Sequence, residues 1–282
     1  MTTYQSQFVS AGEVRIHYTV HGEGDPLILL HGGGPGATGL SNYSRNIAAL
    51  AEHFTCYVID FPGWGQSSKN LESLCAGNPF VNGARAVKLF MDQVGLAKAH
   101  LIGNSFGGAV AYVVALEFPE RVDRLVTMGP GGAWIEGEGM TPGIFQLLTY
   151  YTNEGPTREK LKAFLQQLVF DTSVLTPELI EERFAASNNP EITANPPLRL
   201  PPDSAGQLPR ELFLSEDPRL KTLPHEALLI WGRQDRINLP AGAGSFGVLP
   251  RQEIVWFEDC GHWAQWEHAD AFNRMVADFL AH

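Results

Sequence analysis

The chain has 282 residues, of which 44% are hydrophobic and 18% charged, and its formal net charge is −11 at pH 7. This size and composition suit one α/β domain with an insertion and provide ample apolar residues for a core. The large acidic excess argues against nucleic acid or an anionic membrane surface as a partner.

The start of the chain and its cysteines predict a cytoplasmic protein. Residues 1–10 contain no basic n-region and no apolar h-region, so we expect no signal peptide, and no run is long enough to cross a membrane. Cys56, Cys75 and Cys260 show no metal-binding or C-x-x-C spacing, and their odd number suits a reducing compartment. We do not expect Cys56 or Cys260 to act as a nucleophile.

The first half of the chain alternates strand-like runs with helical runs. Strands are predicted at residues 13–20, 27–30, 56–59, 99–102 and 125–128. This alternation predicts a mostly parallel sheet with helices on both faces.

A glycine-rich loop, residues 31–36 (HGGGPG), follows the predicted strand 27–30. Backbone amides of such a loop can stabilise a developing oxyanion, which makes Gly33 and Gly34 candidate donors. A phosphate-binding loop is the alternative, but no G-K-[ST] follows and the glycine spacing is not that of a dinucleotide site. His31 is expected to be structural rather than catalytic.

The pentapeptide at residues 103–107 (GNSFG) lies between an apolar run and a run of small helix-forming residues. A strand, a G-x-S-x-G turn and a helix form a nucleophile elbow, which exposes a serine hydroxyl at a sharp turn. Strand and helix nearly touch there, so a Cβ on the flanking glycines would clash. We therefore predict that Ser105 is a nucleophile, with the amide of Phe106 as the second oxyanion donor.

The pattern changes from about residue 131, where helices are predicted at residues 144–152, 158–169 and 177–187, with Thr157 and Thr176 as N-caps. A Pro-rich stretch at residues 195–202 follows. These features predict a helical cap at residues 133–209, inserted into a core domain formed by residues 1–132 and 210–282.

Two further strands are predicted at residues 227–232 and 253–257, and Asp235 and His262 lie just beyond them. Open α/β sheets place their chemistry at the carboxyl ends of strands. Asp235 could instead be a helix N-cap, and His262 an ordinary loop histidine. Because the order Ser, Asp, His is that of elbow hydrolases, we predict the triad Ser105, His262 and Asp235.

Several segments resemble the α/β-hydrolase superfamily and, more narrowly, the meta-cleavage product hydrolases, which cut a carbon–carbon bond in ring-opened products of bacterial aromatic and steroid degradation. The segments are residues 31–37, 41–47, 103–108, 128–132, 231–236 and 260–267. The resemblance covers nearly the whole chain and is weakest at about residues 193–223. It implies the α/β-hydrolase fold: a mostly parallel central sheet flanked by helices, with an inserted helical cap.

The resemblance also implies substrate-binding residues. Taken alone, Arg183 is an ordinary solvated helix residue, but the family has an arginine at the matching cap position that holds the substrate's carboxylate and enol oxygen. Asn42 and Asn104 would complete this polar end, with Trp263 beside the reacting carbon. Leu168 stands where some members of the family have phenylalanine, and Phe106 follows the nucleophile where many have methionine or leucine. Both differences concern the apolar pocket for the acyl group.

The implied reaction converts a 2-hydroxy-6-oxohexa-2,4-dienoate to 2-hydroxypenta-2,4-dienoate and a carboxylic acid, by ketonisation followed by hydrolysis at Ser105. It requires no metal or organic cofactor. The expected partners are the small-molecule substrate and, by analogy, further copies of the chain in a dimer or larger homo-oligomer. A serine carboxylesterase and a non-catalytic ligand receptor are alternatives. The sequence leaves open the 6-substituent and whether Ser105 forms an ester or activates water.

Overall fold

The computed structural model describes residues 5–69, 77–200 and 208–281. Cys75 and the last two prolines of the predicted Pro-rich stretch lie outside these ranges.

The described residues form one eight-stranded sheet in the order β1-β2-β4-β3-β5-β6-β7-β8. The strands are β1 (Gln7–Ala11), β2 (Val14–His21), β3 (Asp25–Leu30), β4 (Phe54–Ile59), β5 (Ala99–Asn104), β6 (Val122–Met128), β7 (Glu226–Gly232) and β8 (Gln252–Phe257). Strands β3 to β8 run parallel, whereas β2 pairs antiparallel with both β1 and β4. The prediction of a mostly parallel sheet is confirmed.

The described residues also form α-helices, some of which cover the two faces of the sheet. They are α1 (Gly39–Tyr43), α2 (Ile47–Leu50), α3 (Pro79–Val94), α4 (Phe106–Glu117), α5 (Pro142–Thr149), α6 (Arg158–Leu168), α7 (Pro177–Ser187), α8 (Pro190–Ala194), α9 (Gly242–Phe246), α10 (Ala264–Glu267) and α11 (Ala269–Ala281). No helix within the described ranges is long and apolar enough to cross a membrane.

Two apolar layers bury the sheet, and strand β3 contributes to both. Ile28 and Leu30 pack in the layer that includes residues of α3, α4 and α9, whereas Leu27 and Leu29 pack in the layer that includes residues of α2 and α11. Successive side chains of a strand point to opposite faces, so a strand covered on both sides is a continuous apolar run. This explains why the run before the glycine-rich loop contains no polar residue.

Helices α5 to α8 all lie between β6 and β7 in the chain. Thr157 and Thr176 cap α6 and α7 as predicted, since each side chain accepts a backbone N–H three residues ahead. The predicted helix at residues 144–152 begins earlier, at Pro142, because Thr141 is its N-cap and proline suits the first helical position.

The helical segment α5–α8 packs on the loop after β8. Phe164 and Leu165 of α6 belong to the same buried cluster as Trp263 and Trp266. This contact places α6 directly above the carboxyl end of the sheet.

Candidate active site

Ser105 lies at the junction between strand β5 and helix α4, with φ of 54° and ψ of −112°. A positive φ is uncommon outside glycine and costs energy, so the surrounding structure must hold it. Its backbone N–H donates to the carbonyl of Met128 on the neighbouring strand at 2.9 Å. This strained conformation is that of a nucleophile elbow.

The glycines on either side of Ser105 have no room for a side chain. A Cβ on Gly107 would overlap the carbonyl oxygen of Leu30, and one on Gly103 would overlap that of Gly107. The structure therefore agrees with the prediction that a Cβ on either glycine would clash with neighbouring backbone.

The side chains of Asp235 and His262 form a hydrogen bond with each other. Nδ1 of His262 and Oδ2 of Asp235 are 2.7 Å apart, and both side chains are almost fully buried. The other oxygen of Asp235, Oδ1, accepts the backbone N–H groups of Ile237 and Asn238 at 2.8 and 3.0 Å. These bonds fix the carboxylate, which in turn orients the imidazole so that Nε2 is the free ring nitrogen.

Nε2 of His262 is buried and has no hydrogen-bond partner among the described residues. Ser105 and His262 line the same cavity, but their side chains form no hydrogen bond in the described structure. Such contacts are often long before substrate binds. An unpaired acceptor that faces a cavity beside a serine is suited to taking a proton.

The predicted oxyanion donors lie around Ser105. Gly33 and Gly34 line the cavity that contains Ser105. Phe106 is the first residue of α4, where backbone N–H groups have no partner within the helix. Together these amides can face an oxygen bound next to Ser105.

His31 has a structural environment. One ring nitrogen donates to the carbonyl of Gly32 at 2.7 Å, and the other accepts the N–H of Phe61 at 3.0 Å. Burial lowers the pKa of His31 to about 4, so the ring is neutral. Its bonds join the glycine-rich loop to the segment after β4.

A cavity of about 310 Å³, measured with its opening, unites most of the predicted site. Nine predicted residues line it: Gly33, Gly34, Asn42, Asn104, Ser105, Leu168, Arg183, His262 and Trp263. Asp235 lies behind His262, and Phe106 lines the adjoining cavity.

Arg183 is a buried cation in this cavity, with 1% of its surface exposed. Its Nε donates to the carbonyl of Pro35 at 2.9 Å, its guanidinium lies 5.4 Å from the ring centre of Trp263, and Nη1 has no partner among the described residues. No carboxylate forms an ion pair with it in the described ranges. Burial lowers the pKa of Arg183 to about 10, which leaves it charged at neutral pH.

The two asparagines are held by protein groups. The side-chain oxygen of Asn42 accepts the N–H of Gly32 at 3.2 Å and the indole N–H of Trp263 at 3.4 Å. The amide nitrogen of Asn104 donates to the carbonyl of His262 at 3.1 Å. Both residues therefore also position the loops that form the cavity.

Four apolar lining residues were not predicted as site residues: Ala37, Leu147, Phe164 and Ile237. Phe164 and Leu168 lie four residues apart on α6 and so share one face. This helical spacing could have identified Phe164 once Leu168 was assigned to the cavity.

A second, larger cavity of about 1560 Å³, measured with its opening, adjoins the first and shares Ser105 and Gly33 with it. Its described lining is mainly apolar and includes Phe80, Phe106, Ile144, Leu148, Leu198, Leu212 and Phe213. Ser105 thus stands between a small cavity with a cation and a large apolar one.

The two described cysteines are unsuited to nucleophilic chemistry. Cys56 and Cys260 are buried free cysteines. Burial raises the pKa of the Cys56 thiol to about 12 and also raises that of Cys260. A thiol rather than a thiolate is a poor nucleophile.

Residues 25–269 match the family model of the alpha/beta hydrolase fold, so the chain is an α/β hydrolase. It is 42% identical to the 2-hydroxy-6-oxo-6-phenylhexa-2,4-dienoate hydrolase of Burkholderia cepacia, over 98% of this chain and 96% of that protein. It is also 42% identical, with the same shares covered, to the 2-hydroxy-6-oxononadienedioate/2-hydroxy-6-oxononatrienedioate hydrolase of Comamonas testosteroni.

A solved structure of the meta-cleavage product hydrolase of Pseudomonas fluorescens IP01 superposes with a TM-score of 0.84 at 31% identity, covering 98% of this chain and 97% of that one. The chain belongs to the meta-cleavage product hydrolase family, which confirms the resemblance drawn from its motifs.

Proposed function

We propose that this protein hydrolyses the carbon–carbon bond of a 2-hydroxy-6-oxohexa-2,4-dienoate, with Ser105, His262 and Asp235 as its triad. The observation that supports this most strongly is Arg183, a buried guanidinium that lies beside the predicted nucleophile and has no carboxylate partner among the described residues. Burying an unpaired charge is costly, and an anionic ligand removes that cost. The planar carboxylate head of the dienoate matches the fork of a guanidinium.

The two cavities divide the substrate between them. The carboxylate and 2-hydroxyl bind in the small cavity at Arg183, flanked by Asn42, Asn104 and Trp263, and the 6-substituent enters the large apolar cavity. The 6-oxo carbon then lies at Ser105, where the two cavities meet. The helical segment α5–α8 forms the cap that closes over this arrangement.

The first phase is a proton transfer. His262, with Nε2 free and Nδ1 bonded to Asp235, moves a proton from the 2-hydroxyl to C5. The product is a 2,6-dioxo compound in which the bond between C5 and C6 can break, because the electron pair left on C5 is delocalised to the 2-oxo group.

The second phase is hydrolysis at C6. Ser105 attacks this carbon as His262 takes its proton, while the amides of Gly33, Gly34 and Phe106 stabilise the oxyanion. The C5–C6 bond breaks, and protonation of the departing dienolate gives 2-hydroxypenta-2,4-dienoate. Water then attacks the acyl-Ser105 ester with His262 as base and releases the carboxylic acid.

Rapid mixing with 6-phenyl 2-hydroxy-6-oxohexa-2,4-dienoate tests this proposal. The yellow dienoate should bleach, with benzoate and the hydroxypentadienoate formed in equal amounts. Ser105→Ala should bind the dienoate, shown by a spectral shift, and fail to cleave it. Hydrolysis of aryl esters without bleaching of any dienoate would instead support a serine carboxylesterase, which has no need for Arg183.

A further inference from the structure

We infer that the 6-substituent of the substrate is uncharged, bulky and apolar, of the aryl or extended hydrocarbon class, and that a substituent ending in a carboxylate is rejected. This inference rests on the proposed function and specifies its acyl group. Sequence identity does not decide the matter, because relatives named for a 6-phenyl substrate and for a dioic acid are equally similar at 42%. Their substrates differ in whether a second carboxylate is present.

The described residues that line the large cavity include no cation to receive that second carboxylate. Glu138 is the one charged side chain among its described lining residues. It is exposed, and Gly139, Met140 and Thr141 follow it along the wall. A carboxylate bound in this cavity would meet apolar groups, a like charge, and the side chains of Thr141 and Asn238, which already donate to the carbonyls of Ile237 and Gly129.

The basic residues nearest in the chain do not line this cavity. Arg183 lines the smaller cavity, and Arg236 donates to the carbonyl of Val169 at 3.2 Å. Arg210 pairs with Glu216 at 3.1 Å and lines a surface groove that shares Phe80 and Phe213 with the large cavity. Arg199, which follows the lining residue Leu198, is exposed and is not among the residues that line this cavity. None of these four guanidinium groups lines the large cavity.

Residues 201–207, which precede the lining residue Leu208, have the sequence PPDSAGQ and contain no Lys, Arg or His. Their one charged residue is Asp203. Phenyl and alkyl groups, unlike a carboxylate, need only apolar contact.

The decisive measurement uses the wild-type protein and two dienoates, one with a 6-phenyl group and one with a 6-(2-carboxyethyl) group. We expect kcat/KM for the phenyl compound to exceed that for the dicarboxylate by at least about 100-fold, because the second carboxylate loses water without gaining a partner. Values within about tenfold of each other would overturn the inference while leaving the proposed function intact. If neither compound is bleached, the proposed function is overturned, and the inference falls with it.

A pair of variants separates charge from size. Leu148 lies on α5 and lines the large cavity. Leu148→Arg should shift the ratio of kcat/KM values toward the dicarboxylate by at least about tenfold, because it supplies the missing cation. Leu148→Gln, which is polar and uncharged but shorter than arginine, should not. An equal shift in both variants would attribute the rejection to the shape of the cavity and overturn the role of charge.

Discussion

Glu267 accepts a hydrogen bond from the backbone amide of Gly261, with 2.8 Å between Oε1 and N. Its other oxygen accepts the amide of Phe170 at 2.6 Å, just beyond the end of α6. A Cβ on Gly261 would lie 2.6 Å from the carbonyl oxygen of Leu168, which also accepts the N–H of His262. The loop that contains the histidine is thus joined to the helical segment at three adjacent points.

Glu267→Gln should reduce kcat by about ten- to a hundredfold while changing KM less, because a small displacement of His262 impairs each proton transfer. Glutamine has one acceptor oxygen, so it cannot accept both the Gly261 and the Phe170 amides. Cleavage of the dienoate and hydrolysis of an aryl ester should fall together, since both use His262. Steady-state kinetics on the two substrates measure this.

Glu258→Gln is the matched control for Glu267→Gln. Glu258 lies in the same loop but is largely exposed, and its ion-pair partner within the described residues is Arg233 at 3.2 Å. Its loss should leave both activities within about twofold of wild type, as expected for a surface pair. If the two variants have equal activities, Glu267 does not position His262.

Arg183→Met should raise or preserve the stability of the free protein while reducing dienoate cleavage. Replacing a buried, unpaired charge by an apolar residue of similar volume is neutral or stabilising, here by about 1 kcal/mol after the bond to Pro35 is lost. Loss of the cation should lower kcat/KM for the dienoate by at least roughly 100-fold. Denaturant unfolding and kinetics provide the two measurements.

A neutral aryl ester is the control substrate for Arg183→Met. Its hydrolysis should change by less than about threefold, because an ester without a carboxylate gains little from a guanidinium. Equal losses on the ester and the dienoate would show that Arg183 supports the structure and not the binding of the anionic head.

Gly107→Ala should destabilise the protein by more than about 3 kcal/mol, because the added methyl group would overlap the Leu30 carbonyl in a rigid part of the sheet. Gly244→Ala is the contrasting variant. Gly244 is an exposed residue of α9 with open space around its Cβ position, so alanine should stabilise by about 0.5–1 kcal/mol. Equal unfolding midpoints would refute the close approach at the elbow.

The elements that were predictable from the sequence are those specified by neighbouring residues. The elbow at Ser105 requires only a strand, two glycines and a helix, all within a short stretch. The N-caps Thr157 and Thr176 likewise depend on residues three positions away. Apolar runs buried on both faces identify the parallel strands for the same local reason.

Contacts between distant residues were not predictable in this way. The bond from Arg183 to Pro35 joins positions 148 residues apart, and nothing near either residue indicates it. The burial of Arg183 likewise depends on how α7 packs, and its own helix looks like a solvated one. The engagement of Asn42 by Gly32 and Trp263 is a further consequence of tertiary packing.

His31 should make the fold sensitive to mild acid. Burial lowers its pKa in the folded protein to about 4, below the value in the unfolded chain. As the pH falls, the unfolded state therefore gains a proton first. The contribution of His31 to the free energy of unfolding has its full value above about pH 6.5, and it decreases by about 3 kcal/mol in total as the pH falls toward about 4. Urea unfolding of the wild type across this window should show the decline.

The variant His31→Gln isolates this contribution from those of the other histidines. It should be less stable than wild type at pH 8, where the bonds to Gly32 and Phe61 are lost, but should decline less between pH 6.5 and 4.5. His53→Gln, at an exposed position, should keep the wild-type slope. Removal of the imidazole must abolish its proton uptake on unfolding. If His31→Gln nevertheless keeps the wild-type dependence of unfolding free energy on pH, the buried imidazole does not account for the acid sensitivity.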